Sequence, residues 1–292
     1  MNNHEFLKEI HNHLDHEYEL FNGYQRISNS ILVEFDRICR LNGIRYCLAY
    51  GTMLGCVRDH QQIPWDYDID VFVPNTDCNR LLETLNKDLN DDYYYKFTNN
   101  TQDYPTTCLR LCKKGYTYMA MHVDVFFLIG CPDDCRDRKR FINTVSRLSL
   151  FRIEKNVEKH LPVVADKSLI KRLIHKILSF RYSLYSNRQL LKKEQKLFYM
   201  YPFGKTKYCM SYATDRISYD SSLFNNFIEV RFGEILTFIP QGFDEFLKIK
   251  FHNYSEYLSV RQRFNEFLSM KHIIDERQEY FEKVNYKGCE SK

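Results

Sequence analysis

Three aspartates at every second position, Asp66, Asp68 and Asp70, lead directly into an apolar run that ends at Val73. In a β-strand, side chains two positions apart point to the same face, so these carboxylates would share one face while the intervening apolar residues occupy the other. Like charges this close oppose each other's ionisation unless a cation lies among them. The pattern therefore predicts a strand with one packed face and a candidate metal site on the other.

The segment before the acids has the pattern of strand, turn and short helix. Residues 44–50 alternate like a buried strand, and Gly51-Thr52 opens a short helix through about Arg58, with Thr52 as its capping residue. Backbone N–H groups at a helix N-terminus bind phosphate, aided by the helix dipole. We therefore expect Gly51 and Thr52 to hold a phosphate beside the carboxylates.

The candidate metal ligands are Asp68, Asp70 and Asp124. Carboxylate oxygens suit Mg²⁺, with Mn²⁺ as the alternative ion. Asp124 is the natural third ligand because it is a lone acid in an apolar strand predicted over 122–128, where an unpartnered carboxylate would be strongly unfavourable. A structural salt bridge would satisfy Asp124 equally well.

A calcium-binding loop is the competing interpretation, because the three alternating aspartates match its first ligand positions. That loop needs glycine next and glutamate at its twelfth position, where this chain has Val71 and Asp77. Pro64 also disfavours the entering helix. The calcium interpretation is therefore weak.

Composition adds broad limits. The 292 residues are 44% apolar and 27% charged, which is ordinary for a globular chain of one large or two modest domains. No apolar run approaches the roughly 20 residues of a membrane span, and the first residues lack the order of a signal peptide.

We expect a cytoplasmic protein with reduced cysteines. Zinc binding by the pairs Cys108/Cys112 and Cys131/Cys135, with His122, is an alternative.

The middle of the chain is strongly basic. Residues 133–199 contain 17 Lys/Arg and 7 Asp/Glu, a net +10, so with +4 overall the remainder carries −6. The pattern over 138–200 is helical, and it would fit either an anionic partner or a solvated face. Leu169, Leu173, Ile177 and Phe180 recur beside basic residues, which would also permit contact with the inner face of a membrane.

The remaining elements follow from periodicity and breakers. Helices are expected over 24–41, 75–89, 243–250 and 261–283, and strands over 67–73, 94–98, 107–112, 116–119, 208–212, 227–231 and 235–239. The fold class is therefore α/β (α+β), a mixed sheet core flanked by helices with an added, largely helical basic region. We place a soft boundary between a core carrying the metal site, 1–132, and a second part, 133–292, that completes the fold and the acceptor side.

Several stretches resemble the LicD family. They are YGTMLGCVR at 50–58, IPWDYDID at 63–70, HVDVF at 122–126, and the segment from Pro240 to Leu247. The WDYDID form is similar to the fukutin-related branch of that family. The resemblance spans about 24–258, and its central signature is far more specific than a lone Asp-x-Asp.

The resemblance implies a nucleotidyltransferase-type fold and a phosphotransferase activity. The expected reaction is Mg²⁺-dependent transfer of phosphocholine from CDP-choline to a hydroxyl of a cell-surface glycan or glycan-lipid precursor, as in lipopolysaccharide or capsule modification, releasing CMP. Ribitol phosphate, glycerol phosphate or phosphoethanolamine from a CDP-linked donor is the alternative. Nucleic acid is not among the implied partners.

The resemblance also implies roles for individual residues. Asp68, Asp70 and Asp124 would hold the metal, and Asp66 would orient a metal-bound water or take the acceptor's proton. Arg58 and Arg110 would contact phosphate, with a structural ion pair as the alternative for each. Trp65 is expected to be a packing residue under the metal loop.

One departure from the family pattern and two rival protein classes leave the interpretation open. Where the family usually has Tyr-Gly-Asp-Tyr, this chain has Phe-His-Asn-Tyr at 251–254, so details on the acceptor side are not implied. An RNA- or antibiotic-modifying nucleotidyltransferase would usually carry Gly-Ser before the acids and lack the Ile-Pro-Trp lead-in. A non-catalytic carbohydrate- or membrane-binding protein would have no need to hold the three acids together.

Overall fold

The computed structural model describes residues 6–8, 10, 14–98, 104, 106–157, 185–212 and 216–290. These residues form a mixed α/β fold, which confirms the expected fold class. None of the helices in this part of the chain combines the length and the hydrophobicity that a membrane span requires.

In the described residues, seven strands form one sheet and two more form a separate hairpin. The strands are β1 (Cys47–Leu48), β2 (Ile69–Pro74), β3 (Tyr93–Lys96), β4 (Leu109–Lys113), β5 (His122–Cys131), β6 (Tyr208–Ser211), β7 (Tyr219–Asp220), β8 (Phe227–Phe232) and β9 (Ile235–Pro240). The main order is β1-β2-β5-β4-β3, and β6 pairs with β5 and with β7. Strands β2 and β5 pair in parallel, the other pairs among these nine strands are antiparallel, and β8–β9 is the hairpin.

Helices surround the sheet. They are α1 (Asp15–Leu41), α2 (Tyr50–Asp59), α3 (Cys78–Asp88), α4 (Cys135–Val157), α5 (Asn187–Phe198), α6 (Phe243–Phe251) and α7 (Val260–Glu290). Short 3₁₀ turns follow β2 and β7, at Asn75–Asp77 and Ser221–Phe224.

The central strands β2 and β5 bury the apolar side chains of one face of the sheet. Ile69, Val71 and Val73 of β2, with Val123 and Val125 of β5, are fully buried, as the alternating pattern predicted. Helix α1 packs against β2, β4 and β5, and its apolar stripe joins the same core cluster. The polar residues of β2 and β5 are consequently left for the opposite face.

The basic region contributes helices α4 and α5, which flank residues 158–184. The two helices enclose a small apolar cluster of Leu148, Phe151 and Leu190. Arg152 is fully buried and pairs with Glu194 at 2.6 Å. At least one basic residue of this region therefore forms a structural ion pair between helices α4 and α5. The proposed membrane-facing residues Leu169, Leu173, Ile177 and Phe180 lie outside the described residues.

Three local expectations were wrong. The first long helix begins at Asp15 rather than near residue 24. Residues 116–119 form turns rather than a strand, because the N–H groups of Ala120 and Met121 both donate to Thr117 O at 3.0 Å. Thr52 does not cap α2: the capping position is Ala49, which makes no side-chain hydrogen bond there.

Candidate active site

The acids expected from sequence lie at the start of β2 and on its neighbour β5. Asp70 of β2 is in register with Asp124 of β5, which is in register with Arg110 of β4. Register partners on adjacent strands share a face, so these three side chains form one row across the sheet. Strand β2 begins only at Ile69, so Asp66 and Asp68 belong to the preceding loop rather than to a strand as predicted.

Asp124 is held by a buried salt bridge. Arg110 Nε lies 2.8 Å from Asp124 Oδ1, and Nη2 lies 3.4 Å from Oδ2. Burial raises the pKa of Asp124, but the charge of Arg110 outweighs it and holds that pKa well below the usual range. Arg110 also donates to Tyr118 O at 3.1 Å. The contacts of both residues are thus those of the structural alternative, and binding of phosphate by Arg110 stays a prediction.

One group of side chains meets the distances of a metal site in the residues that the structure describes. Asp68, His122 and Asp124 each offer a ligand atom, and these atoms lie within 4.8 Å of one another. Asp68 and Asp124 were expected there; His122 takes the place expected for Asp70, whose role as a ligand stays a prediction. His122 stands two residues before Asp124, so strand periodicity already placed it on the same face.

His122 is buried beside two carboxylates and is weakly held. It is 1% exposed, its Nε2 lies 3.4 Å from Asp124 Oδ2, and within the described ranges neither ring nitrogen makes a hydrogen bond of normal geometry. Burial and the nearby Arg110 lower its pKa, which favours the neutral imidazole with a free lone pair. Buried polar groups are normally satisfied, so a weakly held ring nitrogen beside two carboxylates fits a cation ligand.

The environment of Asp66 and Asp70 disfavours their ionised forms. Burial and then the charge of Asp68 raise the pKa of Asp66 well above its usual range. Burial, followed by Asp68 and Asp124, does the same for Asp70. This is the mutual repulsion that the alternating acids predicted, and a cation would relieve it. Because carboxylates suit Mg²⁺ and Mn²⁺ while imidazole suits transition metals, the residues present fit a divalent cation.

The N-terminus of α2 lies directly against these acids. A Cβ on Gly51 would lie 2.8 Å from Asp66 Oδ2, so glycine leaves room for that carboxylate. Thr52 Oγ1 accepts a hydrogen bond from the backbone N–H of Asp70 at 2.9 Å and joins the first turn of α2 to β2. Tyr50, the first helical residue, has a φ of 42°, a left-handed conformation that is strained for a non-glycine residue. Phosphate binding by Gly51 and Thr52 stays a prediction.

Sequence reasoning missed three polar side chains that hold the acidic loop from behind, here called the loop clamp: Gln25, Ser28 and Gln62. They donate to four backbone carbonyls: Gln25 Nε2 to Ile63 O (3.0 Å) and Asp66 O (2.6 Å), Ser28 Oγ to Tyr67 O (2.8 Å), and Gln62 Nε2 to Asp66 O (3.1 Å) and Asp68 O (3.2 Å). Nothing in the helical pattern of α1 singles out Gln25 and Ser28, because their partners lie about 40 positions away, and Gln62 stands in a loop whose path the sequence does not fix. The clamp fixes the peptide planes from which the acids project.

Arg58 contacts the C-terminal part of the chain. It pairs with Asp59 at 2.9 Å, and its guanidinium lies 4.4 Å from the centre of the Tyr257 ring. Tyr257 in turn donates to Asp59 at 2.7 Å. These contacts are the structural alternative for Arg58, and its binding of phosphate stays a prediction.

Trp65 is 8% exposed and meets Phe6 edge to face at 5.2 Å. Its environment is that of the expected packing residue.

The cysteines form no metal cluster in the described part of the chain. The group that meets metal distances there contains no thiol. Cys108 instead contacts Asp124 Oδ1 at 3.3 Å, while Cys131 is buried in β5 and Cys135 is exposed.

Comparison with known families agrees with this geometry. Residues 43–144 match the family described as LicD/FKTN/FKRP, nucleotidyltransferase domain. This match over residues 43–144 supports the resemblance to the LicD family that the sequence motifs indicated. This range includes all the predicted site residues.

Among curated proteins, the chain is similar to lipopolysaccharide cholinephosphotransferase LicD of Haemophilus influenzae. The two are 32% identical over 69 residues, which cover 24% of this chain and 26% of that protein. The match thus spans about a quarter of the relative's length.

Proposed function

We propose that this chain transfers phosphocholine from CDP-choline to a hydroxyl of a cell-surface glycan or glycan precursor and releases CMP. The observation that carries the proposal is the group formed by Asp68, His122 and Asp124, with Asp66 and Asp70 beside it, inside the matched domain. The similar protein of Haemophilus influenzae is a lipopolysaccharide cholinephosphotransferase, which supports phosphocholine as the transferred group and a glycan as the acceptor.

Asp68, His122 and Asp124 would hold the cation, Mg²⁺ or alternatively Mn²⁺. When bound, the cation supplies positive charge to the phosphates of the donor and to the departing CMP. Arg110 orients Asp124 by its two hydrogen bonds and keeps it ionised. The loop clamp fixes the peptide that carries Asp68.

Asp66 is the proposed proton acceptor. Burial, the largest cause of its raised pKa, would keep Asp66 a stronger base than an ordinary carboxylate, and proton transfer is most efficient when the pKa lies near the working pH. The acceptor hydroxyl oxygen would form a bond to the phosphorus of phosphocholine, its proton would pass to Asp66, and the bond from that phosphorus to the CMP oxygen would break. The N–H groups of Gly51 and Thr52 would bind a donor phosphate.

Another CDP-linked donor, carrying ribitol phosphate, glycerol phosphate or phosphoethanolamine, is the alternative. All of these donors share the CMP portion, so the cation and the N-terminus of α2 would act in the same way. A non-catalytic carbohydrate- or membrane-binding role is the second alternative, and it gives no role to the close approach of Asp68, His122 and Asp124.

The test is release of CMP from CDP-choline, CDP-ethanolamine, CDP-ribitol and CDP-glycerol, each with Mg²⁺, Mn²⁺ or EDTA. We expect cation-dependent CMP from CDP-choline, its loss in Asp68→Asn, and no change in Asp91→Asn, where the replaced acid is exposed. CMP from a different donor would replace phosphocholine as the transferred group. No cation-dependent CMP and no donor-induced thermal shift with any donor would refute the enzyme proposal.

A further inference from the structure

A cleft of about 370 Å³ with a mixed polar and apolar lining lies beside the acidic loop. Three segments form it: helix α1, the loop over 61–64, and the turn of the β8–β9 hairpin. The hairpin is attached to the loop because Gly233 N donates to His60 O at 2.8 Å. The volume falls within the range of small-molecule sites, roughly 300–1,000 Å³.

The lining of this cleft combines side-chain amides with apolar surface. Five of its residues carry amides: Asn22, Gln25, Asn29, Gln61 and Gln62. The side chains of Asn22 and Gln61 make no hydrogen bond with any residue that the structure describes, and neither do those of Arg26 and Glu234. Tyr18, Pro64, Phe232 and Ile235 supply the apolar surface, against which the C–H face of a ring can pack.

The neutral, amide-bearing lining of the cleft favours an uncharged ligand that carries several hydroxyl groups. The one cation and the one anion cancel, so the cleft has no net charge to attract the phosphates of a nucleotide donor. An apolar ligand would leave the amides unsatisfied, which is unfavourable. An amide offers both a donor and an acceptor, and therefore suits the paired hydroxyls of a neutral sugar ring.

The cleft is coupled to the carboxylates through shared side chains. Gln25 and Gln62 line it and also donate to the backbone carbonyls that hold the acidic loop. A ligand that hydrogen-bonds these amides would contact the residues that fix the positions of Asp66 and Asp68.

We propose that this cleft binds a neutral sugar residue of the acceptor glycan, remote from the hydroxyl that reacts. The proposal rests on the proposed function, because it assigns the acceptor's place. Binding energy from such a remote residue contributes to orienting the reacting group.

The experiment measures sugar binding directly, without donor or cation. Saturation-transfer difference NMR is recorded with glucose, galactose, N-acetylglucosamine and rhamnose, and with cyclohexanol as an apolar ring of similar size. The variant Asn22→Ala/Gln61→Ala removes two amides outside the loop clamp, and Asn225→Ala removes an exposed amide elsewhere.

We expect at least one sugar, but not cyclohexanol, to give a transfer signal that falls tenfold or more in the double variant. The signal should persist in Asn225→Ala and in Asp68→Asn. Absence of binding for all four sugars, equal binding of cyclohexanol, or a signal unchanged in the double variant would overturn the proposal.

The two proposals fail in distinguishable ways. Sugar binding that depends on the amides, without CMP release from any donor, would support a sugar site in this cleft and refute the transferase proposal. Cation-dependent CMP release, together with sugar binding that is unchanged in the double variant, would support the transferase proposal and refute this cleft as the acceptor site.

Discussion

The substitution Gly51→Ala tests whether the position of Asp66 matters for the reaction. The added Cβ would lie 2.8 Å from Asp66 Oδ2, whereas ordinary contacts begin at 3.4 Å, so the two atoms must separate by about 0.6 Å. The atom that must yield is the far end of a short, rotatable side chain. The carboxylate will therefore move while the backbone stays in place.

The expected effect on stability is small. Alanine is favoured over glycine in a helix by about 1 kcal/mol, and a side chain forced off its rotamer loses about 0.5–1.5 kcal/mol, so the two roughly offset. Activity should respond much more, because a displacement approaching 1 Å at a reacting group reduces the rate by on the order of 10²-fold. We expect CMP release to fall about 10- to 100-fold, with the free energy of unfolding within about 1 kcal/mol of wild type.

Two other glycines provide matched controls. In Gly55→Ala the new Cβ would lie 2.7 Å from the backbone oxygen of Gln61, which cannot rotate away, so we expect a loss of about 1–3 kcal/mol in stability. In Gly23→Ala the nearest atom is 4.0 Å away, so the helix should gain up to about 1 kcal/mol and CMP release should not change.

The assay pairs urea denaturation with CMP release for the three variants. Full activity in Gly51→Ala would show that the position of Asp66 is unimportant. A loss of stability as large as that of Gly55→Ala would show that the backbone, rather than the carboxylate, carries the strain. Either result refutes the argument from crowding.

Three further predictions follow from the site and its surroundings. Asp68→Asn should abolish CMP release while the thermal midpoint stays unchanged or rises, since it removes repulsion between carboxylates; a large drop in the midpoint would mark Asp68 as structural. Arg110→Met should lower the free energy of unfolding at pH 7 by about 3–5 kcal/mol, because Asp124 is left buried and unpaired. Arg110 depresses the pKa of Asp124 in the folded protein, so this loss, measured by urea denaturation, should be full above about pH 4 and shrink as the pH falls further; a loss independent of pH would contradict it. His252→Gly should raise the unfolding free energy by about 1 kcal/mol, because His252 has φ 56° and ψ −107°, a conformation suited to glycine, and no gain would show that histidine is not strained there.

Local pattern sufficed for the elements around the site. The alternation that begins at Asp66 predicted the apolar face of β2, and the Gly-Thr step predicted a helix to about residue 58, where α2 ends at Asp59. Asp124 was expected near Asp70 because a lone acid in an apolar strand needs a partner, and the two are in register on adjacent strands.

What sequence could not supply depends on pairing across the chain. The salt bridge of Arg110 with Asp124 requires the antiparallel register of β4 and β5, which no local pattern fixes. His122 shares a face with Asp124 by periodicity, yet the burial of its ring and its long contact with Asp124 are visible only in the structure. Thr52 has the chemistry of a capping residue but lies inside α2, which begins at Tyr50, and its hydroxyl accepts from the N–H of Asp70 instead.

His252 occupies a backbone conformation that favours glycine. Its φ is positive, and the resembled pattern has glycine at this position. Helix α6 ends immediately before it, and Tyr254 donates to Asp244 of that helix at 2.6 Å, so contacts on both sides fix the turn. A strained turn survives only where its surroundings determine it. The contacts around this turn therefore hold a histidine in a conformation that suits glycine, which is the strain that His252→Gly should release.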